Sequence, residues 1–447
     1  MENITGSLGF YLDYGNGRRV LTPLAEIYQK YLDGACMDIV SGAFDYNSTL
    51  RRVVTQLTNS GLRKIDYASG HTNRVDVAAR RAVMTGITQL TGHIADINAA
   101  KLGTNFFEVA WHAGARPTHQ VWQGKVYSRD ELYSICGLGT VTGLEGANCY
   151  HERYPFIPGV SERNWSDEWL EEQNRKENTP KQFKGKEYTT YEAKQRQRQM
   201  ETAMRAQREQ VELLKAGGAD SDVIMLARCK YQAQLDEYAK FSDRLNLKQE
   251  RERIYLDMRG RIAPADKSVM NLFPREMIEN ADRDIKQYEK YKKILGDEIG
   301  SLVNFGQIKY NNTEKWKFVH LDYRRRNELL DHSELKLPDA ANVIVPDKKF
   351  THYLFGGEHP EGLAKGAAFN SRLGYSADNW KELRDQIKEK AVQYPSTYKG
   401  NNGYGDRYEQ KIIIYGKKGT PANVVVGWIR RKDGTVSMSS AYIKEVK

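Results

Sequence analysis

Cysteine is scarce in these 447 residues: Cys36, Cys136, Cys149 and Cys229 stand far apart, and no two form a CxxC pair. That excludes a disulfide framework and suits free thiols in a reducing compartment. No apolar run approaches the ~20 residues that a membrane span needs, and no stretch resembles a signal peptide. The expectation is a soluble protein, or one that enters a larger soluble assembly, with no membrane partner. Charge of neither sign is lacking. The 68 Lys and Arg outnumber the 58 Asp and Glu, for a formal net charge of +10. Such an excess attracts a polyanion such as nucleic acid and says nothing about fold. With both signs so dense, a well-solvated exterior explains it equally well.

What is present begins with helical periodicity. Apolar spacing of three and four predicts helices in LAEIYQKYLDGACMDIV, YNSTLRRVVTQLTNSGL and VDVAARRAVMTGITQLTGHIADINAAKLG. Asp45 or Asn47 caps the second and Gly61 ends it, while Gly103 ends the third. NFFEVAW then alternates as a short strand and leads into WHAGARPTHQVWQGKVYS, where Gly114, Pro117 and Gly124 force turns. A compact irregular β unit over residues 105–158 follows. The polar residues 161–188 read as an extended linker. Two long helical patterns, separated by AGGAD, then form an αα-hairpin, with Gly217 and Gly218 closing one helix and Asp220 or Ser221 opening the next. Residues 257–338 read as a spacer with a charged helix at NADRDIKQYEKYKKIL and a weak strand at WKFVHLDY. From residue 341, a helix opened by Asp378 or Asn379 and the strands QKIIIYG and NVVVGWIRR make a small domain expected to fold alone.

The fold class is therefore α+β and multidomain: a helical N-terminal region with a small irregular β unit, a long αα-hairpin, and a C-terminal small α+β domain. The boundaries are 1–160 for the core of helices and β knot, 161–260 for linker and hairpin, 261–340 for the spacer and 341–447 for the last domain.

Four residues of the knot can ligate a metal. A Cys149-x-His151 pair met by His112 and His119 supplies the thiolate and imidazoles of a closed tetrahedral zinc site. The spacing is unlike the common zinc modules, and the alternative needs no cofactor. In it Trp111, Trp122, Tyr150 and Phe156 form an aromatic core, Arg116 hydrogen-bonds the turns, and the histidines lie on the surface or satisfy buried carbonyls. A catalytic Cys–His pair is the weakest reading, because its only nearby orienters, Asn148 and Glu152, sit at no diagnostic spacing. On the hairpin, Arg196, Arg198, Arg205 and Arg208 either track phosphates or, interleaved with Glu201, Glu209 and Glu212, make a solvated face.

The blocks NITGSLGFY, YQKYLDGA, VSGAFDYNSTLRRVVTQL, GLRKIDYASG, VDVAARRAVMTG, HAGARPTHQVWQGKVYS and GANCYHERYPFIPGVS occur in order over the first 170 or so residues. Together they resemble the minor capsid protein family of tailed phages that infect Gram-positive bacteria. YEAKQRQRQME and KFSDRLNLKQERERIY extend the likeness to about residue 260. Members of that family have a further helical segment ahead of the first block, which leaves open whether this chain is shortened or a fragment. The resemblance implies a virion component in few copies at the capsid interior or portal vertex, present in host cytoplasm during assembly. It implies the portal and other head proteins as partners, packaged DNA or RNA on the basic surface, and no catalysis.

Residues 348–442, with KKFTHYLFGGEHPEGLAKGAAFNSRLGYSADNWKELRDQI, YGDRYEQ and WIRRKDGTVSMSSAYI, resemble a small domain found at the ends of phage head proteins and of bacterial polymorphic toxins. Domains in that position often resemble metal-independent ribonucleases of the barnase and colicin type. The residues for such chemistry are His359 or His352 as acid or base, Lys365 and Arg407 to stabilise a phosphorane, and Ser440 or Tyr442 on the last strand. The bland alternatives are a turn fixed by His359 before Pro360 and an Arg407 held in an ion pair. The whole chain then reads as a structural minor capsid protein with an accessory domain. The alternative is a delivered effector whose ribonuclease toxin domain has an immunity protein.

Overall fold

A computed structural model of the chain describes residues 9–13, 19–40, 49, 53, 64–66, 72–257, 259–417, 419 and 421–446. The chain divides into two compact units, residues 1–209 with 233–262, and residues 210–232 with 263–447.

In the first unit β1 (Gly9–Asp13) and β2 (Arg19–Pro23) pair antiparallel and lead into α1 (Leu24–Val40). The short pair β3 (Lys64–Asp66) and β4 (Thr72–Arg74) leads into α2 (Val75–Leu102). Ala35, Val75, Ala79 and Val83 share a core. Helix α2 ends where expected, at Gly103, whose φ of 67° lets its N–H reach the carbonyls of Ala99 and Ala100. The helix expected between α1 and β3, with Asp45, Asn47 and Gly61, lies outside the described residues except for Thr49 and Val53.

The irregular β unit is a three-stranded antiparallel sheet with β5 (Phe106–Val109) between β6 (Val126–Ser128) and β7 (Arg153–Phe156). Between β5 and β6 comes α3 (Pro117–Gln120), and α4 (Arg129–Ser134) starts on a capping box: Ser128 Oγ accepts the Glu131 N–H while Glu131 accepts the Ser128 N–H. Alternation along β5 turns Phe107 and Val109 onto Ala95 and Ala99 of α2, joined by Trp122, Tyr127 and Leu132. Of the aromatic residues expected in this core only Trp122 is there; Trp111 stacks edge-on against Trp169, 4.9 Å between centroids.

The polar residues 161–188 are folded rather than extended. Ser166 caps α5 (Asp167–Asn178), and β8 (Lys181–Phe183) pairs with β9 (Lys186–Tyr188). One apolar anchor is enough: Leu170 sits where Gly124, at φ 76°, has no side chain. The hairpin helices are α6 (Thr190–Ala216) and α7 (Ser221–Arg244). Within the first unit their antiparallel register is fixed by Gln197 to Ser242 (2.9 Å) and by Tyr238 donating to Glu201 (3.0 Å).

The second unit begins with a helical array: α8 (Arg275–Glu279), α9 (Ala281–Leu295), α10 (Leu302–Asn311) and α11 (Thr313–Asp331). The expected strand at WKFVHLDY is inside α11, and residues 261–340 are not a spacer. Phe318, Leu321, Leu337 and Ala340 enter the core of the C-terminal region. There α12 (Pro360–Leu373) and α13 (Trp380–Lys390) precede an antiparallel meander of β10 (Ser396–Asn401), β11 (Asp406–Tyr415), β12 (Pro421–Arg430) and β13 (Val436–Ile443). Phe369, Leu383, Ile387, Ile412, Val424 and Trp428 fill the interior. Among the described residues no helix is long and apolar enough to cross a membrane.

Candidate functional site

The turns after β5 and before β7 bring three side chains together. Pro117 at the start of α3 sets the backbone that carries His119, and Cys149 and His151 lie on the approach to β7. His119 Nδ1 is 3.4 Å from His151 Nδ1, and Cys149 Sγ is 3.5 Å from His151 Nδ1 and 4.0 Å from His119 Nδ1. All three residues are at most 2% exposed. The far ring nitrogens are also engaged: His119 Nε2 is 2.9 Å from the Thr142 carbonyl, and His151 Nε2 is 3.0 Å from Gln123 Oε1. Of the four residues read as ligands, these three can hold a metal together. His112 stands aside, its ring tilted by 40° against that of His151 at 4.1 Å between centroids and its Nδ1 3.2 Å from the Ala113 carbonyl.

Arg116 behaves as its position suggested, donating to the Ala147 carbonyl at 2.7 Å and so holding the 142–147 turn over His119. Burial pushes His151 down to about 2 and His112 to about 4, lowers His119 and raises the Cys149 thiol. Without a metal the group is thus neutral near pH 7, and the thiol is no activated nucleophile.

These histidines form the floor of a cleft of about 1000 Å³ within the first unit. Its walls come from β4, the start of α2, the 112–116 turn and the N-terminal half of α6. Six cationic side chains line it (Arg74, Arg81, Arg116, Lys194, Arg198 and Arg253), and among the described lining residues Glu250 is the one carboxylate. Lys194 and Arg198 are four apart on α6 and so share a face. Lys194 donates to the Ala113 carbonyl, with its ammonium pKa lowered by burial, and Arg198 lies 5.4 Å from the Tyr150 ring centroid.

The hairpin arginines part company. Arg196 is near the surface with Gln199, Arg205 pairs with Asp76, and Arg208 is 0% exposed, bound to Asp257 and to the carbonyls of Arg259 and Gly260. For Arg208 neither a phosphate track nor a solvated face fits. Lys194, Gln123 and Arg74 were not singled out from sequence. The i,i+4 spacing of Lys194 and Arg198 was a usable signal, but the opposing wall is set only by tertiary packing.

In the C-terminal region the candidate residues separate into groups. Gly362 and Gly366 let α12 lie on the backbone of Tyr353 and Leu354, which sets Lys365 3.3 Å from the Tyr353 hydroxyl. The Lys365 ammonium is 5.9 Å from the Tyr442 ring centroid, and the His359 ring is 5.3 Å from that of Tyr353. Ser440 lies two residues before Tyr442 on β13, with its hydroxyl over Gly427. His352 is exposed, 2.7 Å from the Thr351 hydroxyl. Arg407 pairs with Ile429 in the sheet while Tyr442 pairs with Val425, so it stands two strands across and about 13 Å along from the Lys365 group, its guanidinium on the Lys399 carbonyl. Tyr353, the residue that joins the group, carried no signal in sequence.

Comparison with known families identifies both parts. Residues 18–241, half of the chain, match the family described as Phage minor capsid protein 2. Residues 336–445 match a Domain of unknown function (DUF6883). No curated protein and no solved structure matches. The family match spans the helices, the β unit with its histidines and thiol, and most of the hairpin, so the chain belongs to the phage minor capsid protein family.

Proposed function

We propose that this capsid protein acts in head assembly near the portal, on the inner side of the capsid, and that its cleft takes the phosphodiester backbone of packaged DNA. The observation that supports this is the lining of the cleft: six cations against one carboxylate around about 1000 Å³. Mass spectrometry of purified virions tests the location. The chain is expected in full and empty heads at low copy number, and its presence in the soluble lysate alone would overturn the assignment. Binding to duplex DNA tests the cleft. Affinity should fall as salt rises, and replacing Lys194 and Arg198 together by alanine should reduce the salt slope by about 2, one for each lost phosphate contact. An unchanged slope would place binding elsewhere.

A second reading, a ribonuclease effector carried by the C-terminal domain, is favoured by one grouping: Lys365 beside Tyr353 and Tyr442, with the His359 ring near Tyr353. Such a set offers a cation for a phosphorane and a hydroxyl or imidazole for proton transfer. The full chain incubated with RNA in the presence of a chelator should then cut it, and Lys365→Ala should abolish cutting. A chain that leaves RNA intact at low salt removes this reading and leaves the virion role standing.

A further inference from the structure

The geometry of the buried triplet points to a metal, and we infer that His119 Nδ1, Cys149 Sγ and His151 Nδ1 bind one zinc ion whose fourth coordination position opens into the cationic cleft. The inference stands apart from the nucleic-acid reading, because it rests on the triplet and on its two histidines lining the cleft, not on what the cations of the cleft bind. Zinc bound at 2.0–2.1 Å to imidazole and about 2.3 Å to thiolate, with tetrahedral angles, needs about 3.4 Å between two nitrogens and about 3.6 Å between sulfur and nitrogen. The observed separations are 3.4 Å between the nitrogens and 3.5 and 4.0 Å from the sulfur. Two edges of a ligand tetrahedron are therefore already in place, and the third, from Cys149 Sγ to His119 Nδ1, is about 0.4 Å longer than zinc requires.

Hydrogen bonding fixes the lone pairs. The Thr142 carbonyl can only accept, so His119 carries its proton on Nε2 and presents a bare Nδ1. Gln123 Oε1 accepts the backbone N–H of His112, which identifies it as the amide oxygen, so His151 also donates from Nε2 and presents a bare Nδ1. Two lone pairs then face each other at 3.4 Å beside a thiol with one proton to give. A cation among them resolves the repulsion, with the thiol proton released to solvent as the thiolate–zinc bond forms. The Thr142 carbonyl and Gln123 are the outer partners that orient metal-binding histidines through their second nitrogen. Since His119 and His151 line the cleft, the fourth position faces it and takes water or an anionic oxygen.

The test uses the full chain. Purified protein should hold about one zinc per chain, and Cys149→Ser or His151→Ala should lose it, while His112→Ala keeps it because that ring stands outside the triplet. Cobalt substitution of the wild type, which needs no variant to fold, should give the intense visible bands of a four-coordinate site and a thiolate charge-transfer band in the near ultraviolet. Inorganic phosphate should shift the visible bands. A wild-type chain that takes up neither metal, or a cobalt protein with the weak bands of six-coordination, overturns the site. Loss of zinc in His112→Ala overturns the choice of three ligands. Bands that phosphate leaves unmoved overturn the open position.

Discussion

Trp122 does two jobs, since its ring is 4% exposed in the core of the β unit and lies 4.4 Å from the His119 ring and 4.8 Å from that of His151. Trp122→Ala should destabilise the first unit by about 3–5 kcal/mol, read as a fall in its urea midpoint, whereas His112→Ala should cost less. Arg153 is the charged counterpart. It donates to both oxygens of Asp96, to Glu145 and to the Gly92 carbonyl. Arg153→Met would leave the buried Glu145 without its partner and Asp96 with Arg129 alone, with an expected loss of about 3–5 kcal/mol. Burial alone would raise the Asp96 carboxyl, but the hydrogen bonds and charge of Arg153, joined by the charge of Arg129, outweigh it and hold the group below its usual value. Its stabilisation is thus present above the unfolded pKa of about 3.9 and fades as pH falls through the lower folded value. Equilibrium unfolding at several pH values should show wild type and variant converging in acid. The imidazoles and thiol of His119, Cys149 and His151 were legible in the sequence, and their convergence as a metal site was one of three readings of the knot. What it could not show was which of the four residues stands aside, because a ring that packs against His151 and one that converges with it have the same spacing along the chain.

Helix packing separates two glycines that look alike in sequence. Gly34 of α1 has nothing within 4 Å of the place a Cβ would take, while at Gly366 of α12 that Cβ would stand 1.8 Å from the Leu354 carbonyl oxygen. Gly34→Ala should stabilise by about 0.5–1 kcal/mol through helix propensity. Gly366→Ala should destabilise by about 1–3 kcal/mol, because backbone must shift and Lys365 moves away from Tyr353 with it. Thermal melts of the two variants give shifts of opposite sign if this is right. The same dependence on packing explains which elements sequence reading found. Long periodic helices such as α2, α6 and α7 and the apolar strands β11 and β12 announced themselves. WKFVHLDY did not, because eight residues rich in aromatic and β-branched types fit a strand as well as a helix, and only the burial of Phe318, Leu321, Asp322 and Arg326 at three- and four-residue spacing in α11 decides it. The polar residues 161–188 misled for the opposite reason: α5 buries only Leu170 and Glu177, too little to lift its composition above that of a linker.

The division of the whole chain follows from where its cores close. Sequence texture changes at residue 341, yet the core of the C-terminal region takes Phe318, Leu321, Leu337 and Ala340 from before that point, and the domain match starts at residue 336. A buried polar network crosses the same boundary. Asp322, 0% exposed, accepts from Arg326 at 2.9 Å, from the Tyr415 hydroxyl at 2.9 Å and from the Tyr394 hydroxyl, while Glu298 accepts from Arg326 and from Lys390. Cutting at 341 removes Asp322, Arg326 and Glu298 together and strands Lys390, which is 3% exposed and whose pKa burial already lowers. It also opens the apolar surface that α11 covers. A fragment of residues 341–447 is therefore expected to lack a cooperative transition, against the simpler expectation that it folds alone. A fragment of residues 296–447, which keeps the network and α11, should unfold in one sharp step. Circular dichroism during urea titration distinguishes the two. A cooperative 341–447 fragment as stable as the longer one would show that α11 and the buried carboxylates decorate the domain rather than complete it.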